Sequence, residues 1–390
     1  MIYKHPLMHN NFSKSDFSDV KKLLNQTNPI LTQSKKVEEF EKKWSKWLGV
    51  RYSTFVSSGS SANYISISIL KVLNKNKYKN EIIVPTLTWI SDISSIILNG
   101  FKPVFVDINL ENLSMDIDQV LKKINKKTLG IFITHAQGFN GLNDKLLKAI
   151  NKHKLYLIED VCESHGATYK NKKLGTFGLM SNFSFYYAHH MTTIEGGMIS
   201  TNNRKLFEKI WSLKDIGKSY KKYHDNHVKN FKFRWLHDNI GTNARMTEIQ
   251  AYSGLYQIDK LNKFINLRQK NAKYIFNQLK NVPCLKFLNT PKNFHNVYYR
   301  FNFLFNDKYH SKKLSRDTIL KELSKKIYIR EGSCPEIYRE KYFKKKFNIN
   351  CPNAKYIGKN SLSLQVDQTI SYKSLVDTTE ILKKYLLNKL

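Results

Sequence analysis

"TLGIFITHAQGFNGLNDKLLKAINKHKLYLIED", residues 128–160, holds two apolar β-rich runs, 128–136 and 154–160, around an amphipathic helical pattern at 143–152. Strand, helix and strand over so short a span is the unit of a parallel sheet, because parallel neighbours need a crossover long enough for a helix. The alternation extends outward through "EIIVP" (81–85), "KPVFVDI" (102–108), "NFSFYY" (182–187) and "GGMIST" (196–201), with a further helical pattern at 117–126. Together these runs predict an α/β large domain with a mixed, mostly parallel sheet between helices. From Met246 to about Leu279 the pattern is continuously helical, and "VYYRFNFLFN" (297–306) with helices at 316–326 and 374–387 predicts a smaller C-terminal α+β domain. We divide the chain at a boundary near residue 260, with 1–260 as the large domain and its N-terminal segment and 261–390 as the small one.

With 390 residues, 41% of them hydrophobic, the chain can bury a large core. No apolar run approaches the roughly 20 residues of a membrane span. The stretch from Met1 to Ser13 lacks the apolar core of a cleavable leader, so we expect a cytoplasmic protein. Cys162, Cys284, Cys334 and Cys351 lie far apart with no CxxC pair, which predicts free thiols and no zinc or iron–sulfur site. His224 and His227 form an HxxH pair in a polar segment without a companion ligand set, so no metal is expected there. The formal charge of +34 is spread along the chain; in "KKVEEFEKKWSKWLG" (35–49) the lysines occupy the solvated face of a helix whose apolar stripe is Val37, Phe40, Trp44, Trp47 and Leu48. Scattered charge of this kind argues against a nucleic-acid partner and is compatible with an anionic small substrate.

In open parallel sheets, ligands bind outside the carboxyl ends of the strands, so chemistry is sought there. Four stretches qualify. "VSSGSSAN" (56–63) is a small-residue turn entering an apolar helix: Gly59 permits close backbone approach, and Ser60 and Ser61 bring hydroxyls and N–H groups to a helix N-terminus, which suits a phosphate. A plain helix cap has the same composition. "VPTLTWI" (84–90) puts Trp89 just beyond a strand, where it stacks on a flat ligand or packs in the core. "LIEDVCESHGA" (157–167) ends a strand in Glu159, Asp160 and Glu163, carboxylates that are costly to bury without a cationic partner. "FSFYYAHHMTTIEGG" (183–197) carries Ser184 on a strand and places His189 and His190 at its end.

In this order and spacing, together with "GTFGLMSNFSF" (175–185) and "NARMTEIQA" (243–251), the stretches resemble the sugar aminotransferase family of fold type I pyridoxal-phosphate enzymes, over roughly residues 10–385. The resemblance implies pyridoxal 5'-phosphate or pyridoxamine 5'-phosphate as cofactor. Gly59, Ser60 and Ser184 would hold its phosphate, and Trp89 would stack on its ring. Asp160 would pair with the pyridinium nitrogen and make the ring an electron sink. Glu163 would lie by the ring hydroxyl, where the family's aminotransferases usually carry glutamine. Asn243 would reach the phosphate of a neighbouring subunit, which implies a homodimer with shared sites.

In the family's aminotransferases the residue six before the glutamate of "EGG" is the lysine that forms the Schiff base. Counting back from Glu195 reaches His189, and no lysine occurs between Lys173 and Lys205. Imidazole forms no stable Schiff base, which disfavours ordinary transamination, but it moves protons near neutral pH. His190 is read as structural. The substitution resembles a branch of nucleotide-sugar 3-dehydratases that make 3-deoxy sugars for surface polysaccharide, above all those acting on GDP-4-keto-6-deoxymannose. It implies C3 dehydration of a nucleotide-linked 4-keto-6-deoxy hexose or heptose, glutamate as amino donor, release of ammonia, and His189 as the acid/base.

A CDP-sugar type with an iron–sulfur cluster needs closely spaced cysteines, which this chain lacks. Ile216 and Tyr220 of "KDIGKSY" (214–220) stand where the GDP-sugar enzymes carry a histidine and an arginine for glutamate, leaving Arg245 as a candidate for the donor carboxylate. On a helix start, a salt bridge from Arg245 to Glu248 is the plainer expectation. "REGSCPEIY" (330–338) shows no substrate signature. The alternatives are an aminotransferase-like enzyme with another reaction, and a non-catalytic cofactor-binding regulatory protein.

Overall fold

A computed structural model describes residues 5–220, 236–288, 294–332, 337–347 and 349–390. His224, His227 and Cys334 lie outside them. The strands are β1 (Tyr52–Val56), β2 (Glu81–Pro85), β3 (Lys102–Val106), β4 (Thr128–Thr134), β5 (Tyr156–Asp160), β6 (Thr168–Tyr169), β7 (Lys172–Lys173), β8 (Met180–Ser184), β9 (Gly197–Thr201), β10 (Leu285–Phe287), β11 (Phe294–His295), β12 (Phe301–Phe305), β13 (Ile329–Glu331) and β14 (Ser361–Leu364). A seven-stranded sheet runs β1-β9-β8-β5-β4-β2-β3. Only β9 opposes its neighbours, pairing antiparallel with β1 and β8, while β8, β5, β4, β2 and β3 run parallel. This is the mixed, mostly parallel α/β sheet that the alternating pattern predicts.

Period-two side-chain alternation sends Ile83, Ile131, Ile133, Leu157 and Phe183 to one face, and Ile82, Val84, Phe132, Ile158 and Met180 to the other. The first face is covered by helices Lys35–Leu48, Asp144–His153 and the N-terminal half of Glu248–Leu279. Helices Gly59–Leu73, Ile90–Leu98 and Arg204–Lys214 cover the second. Helix Lys35–Leu48 buries Val37, Phe40, Trp44 and Leu48 of the expected stripe, each contributing about 1.5–3 kcal/mol, while Trp47 is only partly buried. It ends at Gly49, whose φ of 93° is the left-handed cap that glycine adopts freely.

The 32-residue helix Glu248–Leu279 joins two cores. Its Ala251, Leu255, Ile258, Leu261 and Ile265 belong to the large core. Ala272, Ile275 and Leu279 pack with the small antiparallel sheet, ordered β10-β12-β14-β13, and with the C-terminal helix Tyr372–Lys389. We therefore propose a domain boundary inside this helix. The N-terminal segment reaches the small domain: the His5 ring stacks on Tyr328 at 3.6 Å and the His5 carbonyl accepts from Arg330 at 2.7 Å.

Two differences from the sequence-based expectation bear on the site. Strand β1 is absent from the runs the sequence predicts, because Ser53 and Thr54 interrupt the apolar pattern of "YSTFV"; Ser53 is satisfied by the Ser45 and Ser200 hydroxyls at 2.8 and 2.9 Å. And the strand carrying Ser184 ends there, so His189 and His190 lie in the connection to β9 rather than at a strand end. Thr193 N–H and Phe185 N–H close that connection on the Phe185 and Gly196 carbonyls.

Candidate active site

The carboxyl ends of β1, β2, β4, β5 and β8 open onto a cavity of about 990 Å³, whose far wall belongs to the small domain. Gly59, Ser60, Trp89, Asp160, Glu163, Ser184 and His189 all line it, although they are scattered over 131 positions from 59 to 189. Their convergence follows from the parallel topology, which returns every strand to the same edge of the sheet.

At one end, Ser58 caps helix Gly59–Leu73 by accepting from Ser61 N–H at 3.0 Å, and its hydroxyl pairs with Ser61 Oγ. The helix N-terminus thus faces the cavity with its serines and with Ser184 alongside. Gly59 is needed here: a Cβ at this position would sit 2.7 Å from Ser184 Cβ and 3.1 Å from Cys162 Sγ. Gly197 answers the same crowding from β9, where a Cβ would meet the Ser58 carbonyl oxygen at 2.3 Å. Backbone amides at a helix start with flanking hydroxyls form a dianion cradle. Gly59→Ala should strain this cradle by about 1–3 kcal/mol, raising the Kd for pyridoxal phosphate by roughly an order of magnitude in an absorbance titration while far-ultraviolet circular dichroism stays unchanged.

Asp160 is buried at the tip of β5 and lines the same cavity. Its Oδ1 accepts Cys162 N–H at 2.8 Å, and its Oδ2 accepts Asn63 Nδ2 at 3.2 Å. Asn63 Nδ2 also donates to Asp92 Oδ1 at 2.6 Å, and the Asn63 carbonyl is held by Asn182 Nδ2 at 2.9 Å. No cation stands beside Asp160 among these partners, so a protonated ring nitrogen is the counter-charge the site calls for. Glu163 accepts from Gln137 N–H at 2.7 Å, and Gln137 is oriented in turn by Asn302 of β12 at 2.8 Å. Trp89 is 55% exposed at the entrance, a flat face without a core to pack in. A phosphate cradle, a buried anion and an exposed aromatic face lining one cavity fit a phosphorylated pyridine.

His189 is half-buried against the cavity, its ring 5.3 Å from that of Tyr299. Its Nδ1 is sealed from solvent with no hydrogen-bond partner, so Nε2 is the nitrogen that borders the cavity. Burial, and then the nearby Arg268 guanidinium, push its pKa down to about 3. The imidazole is therefore a free base at neutral pH. Arg268 is fully buried on the long helix and donates to the carbonyls of Tyr299 at 2.8 Å, Tyr298 at 3.3 Å and His189 at 3.3 Å. One guanidinium thereby ties the His189 loop to the small domain. His190 is the structural neighbour, with Nε2 on the Val297 carbonyl at 3.1 Å.

Asn243 and Arg245 do not line the cavity within this chain. Asn243 is exposed. Arg245 is ion-paired with Asp215, not with Glu248. Glu248 instead accepts the backbone N–H groups of Ser34, Lys36 and Val37, the donors that helix Lys35–Leu48 leaves open at its start.

Residues that the sequence reading did not single out complete the site. Asn63 and Asp92 lie beneath Asp160, Arg268 behind His189, and Arg300, Arg316, Arg330 and Arg339 on the small-domain wall. Arg330 comes from the stretch that showed no substrate signature; its spacing to the other three gives no motif, because they come from different elements of the small domain.

The sequence profile of the DegT/DnrJ/EryC1/StrS aminotransferase family matches residues 11–383. The chain is 29% identical to GDP-4-keto-6-deoxy-D-mannose 3-dehydratase of Escherichia coli O55:H7, over 98% of this chain and 100% of that one. It is 32% identical to GDP-perosamine synthase of Vibrio cholerae, over 65% of each chain. The fold superposes on the E. coli GDP-4-keto-6-deoxy-D-mannose-3-dehydratase with bound hydrated pyridoxal phosphate with a TM-score of 0.85 at 27% identity, covering 99% of this chain and 100% of the other. With its profile matched over nearly the full length, this chain belongs to the DegT/DnrJ/EryC1/StrS aminotransferase family and is an enzyme of that pyridoxal-phosphate-dependent kind.

Proposed function

We propose that this chain is a cytoplasmic, homodimeric C3-dehydratase of a nucleotide-linked 4-keto-6-deoxy sugar, with a GDP sugar as substrate and glutamate as amino donor. The observation that carries this reading is His189: it borders the cavity where the family's aminotransferases place their lysine, and among the described residues no lysine lines the cavity. When bound, the aminated cofactor supplies an amine that joins the sugar ketone and a ring that draws electrons from it. Asp160 would keep that ring's nitrogen charged, and Ser58, Gly59, Ser60 and Ser184 would hold its phosphate. His189 Nε2, already neutral, would accept the proton from the methylene carbon that carries the amine and would return it to the departing C3 hydroxyl, which leaves as water. Lacking an amine of its own, His189 does not take the product over covalently, so the amino product leaves and loses ammonia to water.

Arg300, Arg316, Arg330 and Arg339 outnumber Glu331 and Glu340 on the small-domain wall, and a wall of net positive charge suits the diphosphate of a nucleotide sugar. A dimer is favoured by the surface around Asn243, where Ile240 is 99% and Ile216 42% exposed. The second reading is an aminotransferase, favoured by the likeness to GDP-perosamine synthase. Incubation with pyridoxal phosphate, glutamate and GDP-4-keto-6-deoxymannose separates the two. We expect ammonia release and, by mass spectrometry, a sugar that has lost one oxygen; a sugar that has gained nitrogen would establish the aminotransferase instead.

A further inference from the structure

We propose that Asp92 is a positioning residue for the cofactor ring: a neutral carboxylic acid that leaves Asp160 as the single anion of a buried pair and so sets how strongly Asp160 competes for the ring-nitrogen proton. Hydrogen counting leads to this assignment. Thr88 Oγ1, Thr134 Oγ1 and Asp92 Oδ2 form a closed triangle of contacts at 2.5, 2.8 and 2.6 Å, Thr88 to Asp92, Thr134 to Asp92 and Thr88 to Thr134. All three side chains are buried. Three such contacts need three hydrogens, and the two hydroxyls bring two. The third is available if Asp92 Oδ2 carries a proton. Asp92 Oδ1 then acts as the acid's carbonyl oxygen and accepts from Asn63 Nδ2 at 2.6 Å, the same amide that reaches Asp160 Oδ2 at 3.2 Å.

Charge points the same way. The titratable groups facing Asp92 are Asp160 at the end of β5 and Cys162 in the turn after it, while helix Gly59–Leu73 contributes Asn63, and β4 and the β2 turn contribute the uncharged threonines. No cation is among these partners. Burial first, and the Asp160 charge second, hold the Asp92 carboxyl well above the usual range. Were Asp92 ionised, repulsion would raise the proton affinity of Asp160 and draw the proton off the pyridine. With Asp92 neutral, the proton would stay on the ring of a bound cofactor and leave that ring an electron sink.

This inference rests on Asp160 facing the ring nitrogen and is independent of which reaction the enzyme runs. Infrared spectra of the apoprotein test it without any turnover. At neutral pH we expect the carbonyl stretch of a protonated carboxylic acid, displaced by aspartate labelled with carbon-13 and lost in Asp92→Asn. Raising the pH should remove it with a midpoint well above the ordinary carboxyl value of about 4, and Asp160→Asn should move that midpoint down. In parallel, Asp92→Asn should change the Kd for pyridoxamine phosphate by less than about threefold, as expected for exchange between uncharged groups. Absence of the label-sensitive band at neutral pH, its indifference to Asp160→Asn, or a loss of affinity of about tenfold or more in Asp92→Asn, the equivalent of a full pKa unit, would each overturn the assignment. The labelled wild-type protein keeps the test decisive even if Asp92→Asn does not fold.

Discussion

Replacing His189 with asparagine should lower the rate of sugar dehydration by about 10²–10⁴-fold, the usual worth of a positioned acid/base, while leaving the cofactor Kd near its wild-type value. The expectation follows from the division of labour in the cavity. The groups we propose to hold the cofactor sit on the sheet side, at Gly59, Ser184 and Asp160, whereas His189 stands in the β8–β9 connection and makes no hydrogen bond to any of them. Asparagine retains the backbone carbonyl that Arg268 holds at 3.3 Å, so the loop keeps its anchor. Rapid-quench measurement of deoxy-sugar formation checks the rate, and absorbance titration checks the binding. His189→Lys adds a sharper arm: borohydride should then fix pyridoxal phosphate covalently to the chain, as it should not in the wild type. If His189→Asn dehydrates at the wild-type rate, the base lies elsewhere.

Lys214→Met should destabilise the large domain by about 3–5 kcal/mol, because removing one partner of a buried ion pair strands the other charge. Lys214 Nζ lies 2.9 Å from Glu41 Oε1, with side-chain exposures of 1% and 11%, and also donates to the Phe55 carbonyl at 3.1 Å. Glu41 Oε1 in turn accepts Phe55 N–H at 2.8 Å. The pair therefore clamps β1 from both sides, one residue before the turn that forms the phosphate cradle. Equilibrium denaturation reads the loss as a lower midpoint. The double variant Glu41→Leu/Lys214→Met should recover only part of it: no unpaired charge remains, but the Phe55 N–H and carbonyl lose their partners. Lys43→Met breaks the pair with Asp259, whose side chain is 64% exposed, and should leave the midpoint unmoved. Equal losses at Lys214 and Lys43 would mean that burial is not what gives the first pair its weight.

The elements of the large sheet were legible because their side chains carry the pattern of the faces they bury. Strands β2 to β5 read as continuous apolar runs, the mark of strands covered on both sides, and helices Asp144–His153 and Lys35–Leu48 carry an apolar stripe at helical spacing. β1 escaped because its inward Ser53 and Thr54 are polar; Ser53 is satisfied by hydroxyls from a helix and from β9, partners that do not exist until the sheet closes.

The site divides along the same line. The count that the resemblance places at His189 stays within one loop, and Gly59, Asp160 and Ser184 sit at strand or helix ends that local pattern marks out; that these four are candidates for one site the sequence by itself determined, and the structure gathers them in one cavity. The Asp92–Asn63–Asp160 network joins residues 29 and 97 positions apart, Gln137 meets Asn302 across 165 positions, and Arg268 reaches the His189 carbonyl across 79. Such contacts leave no periodic trace, since each polar side chain is placed by a different element and paired only by the crossing of those elements. Only the tertiary structure decided them, because a buried polar group is tolerated just where packing brings it a partner.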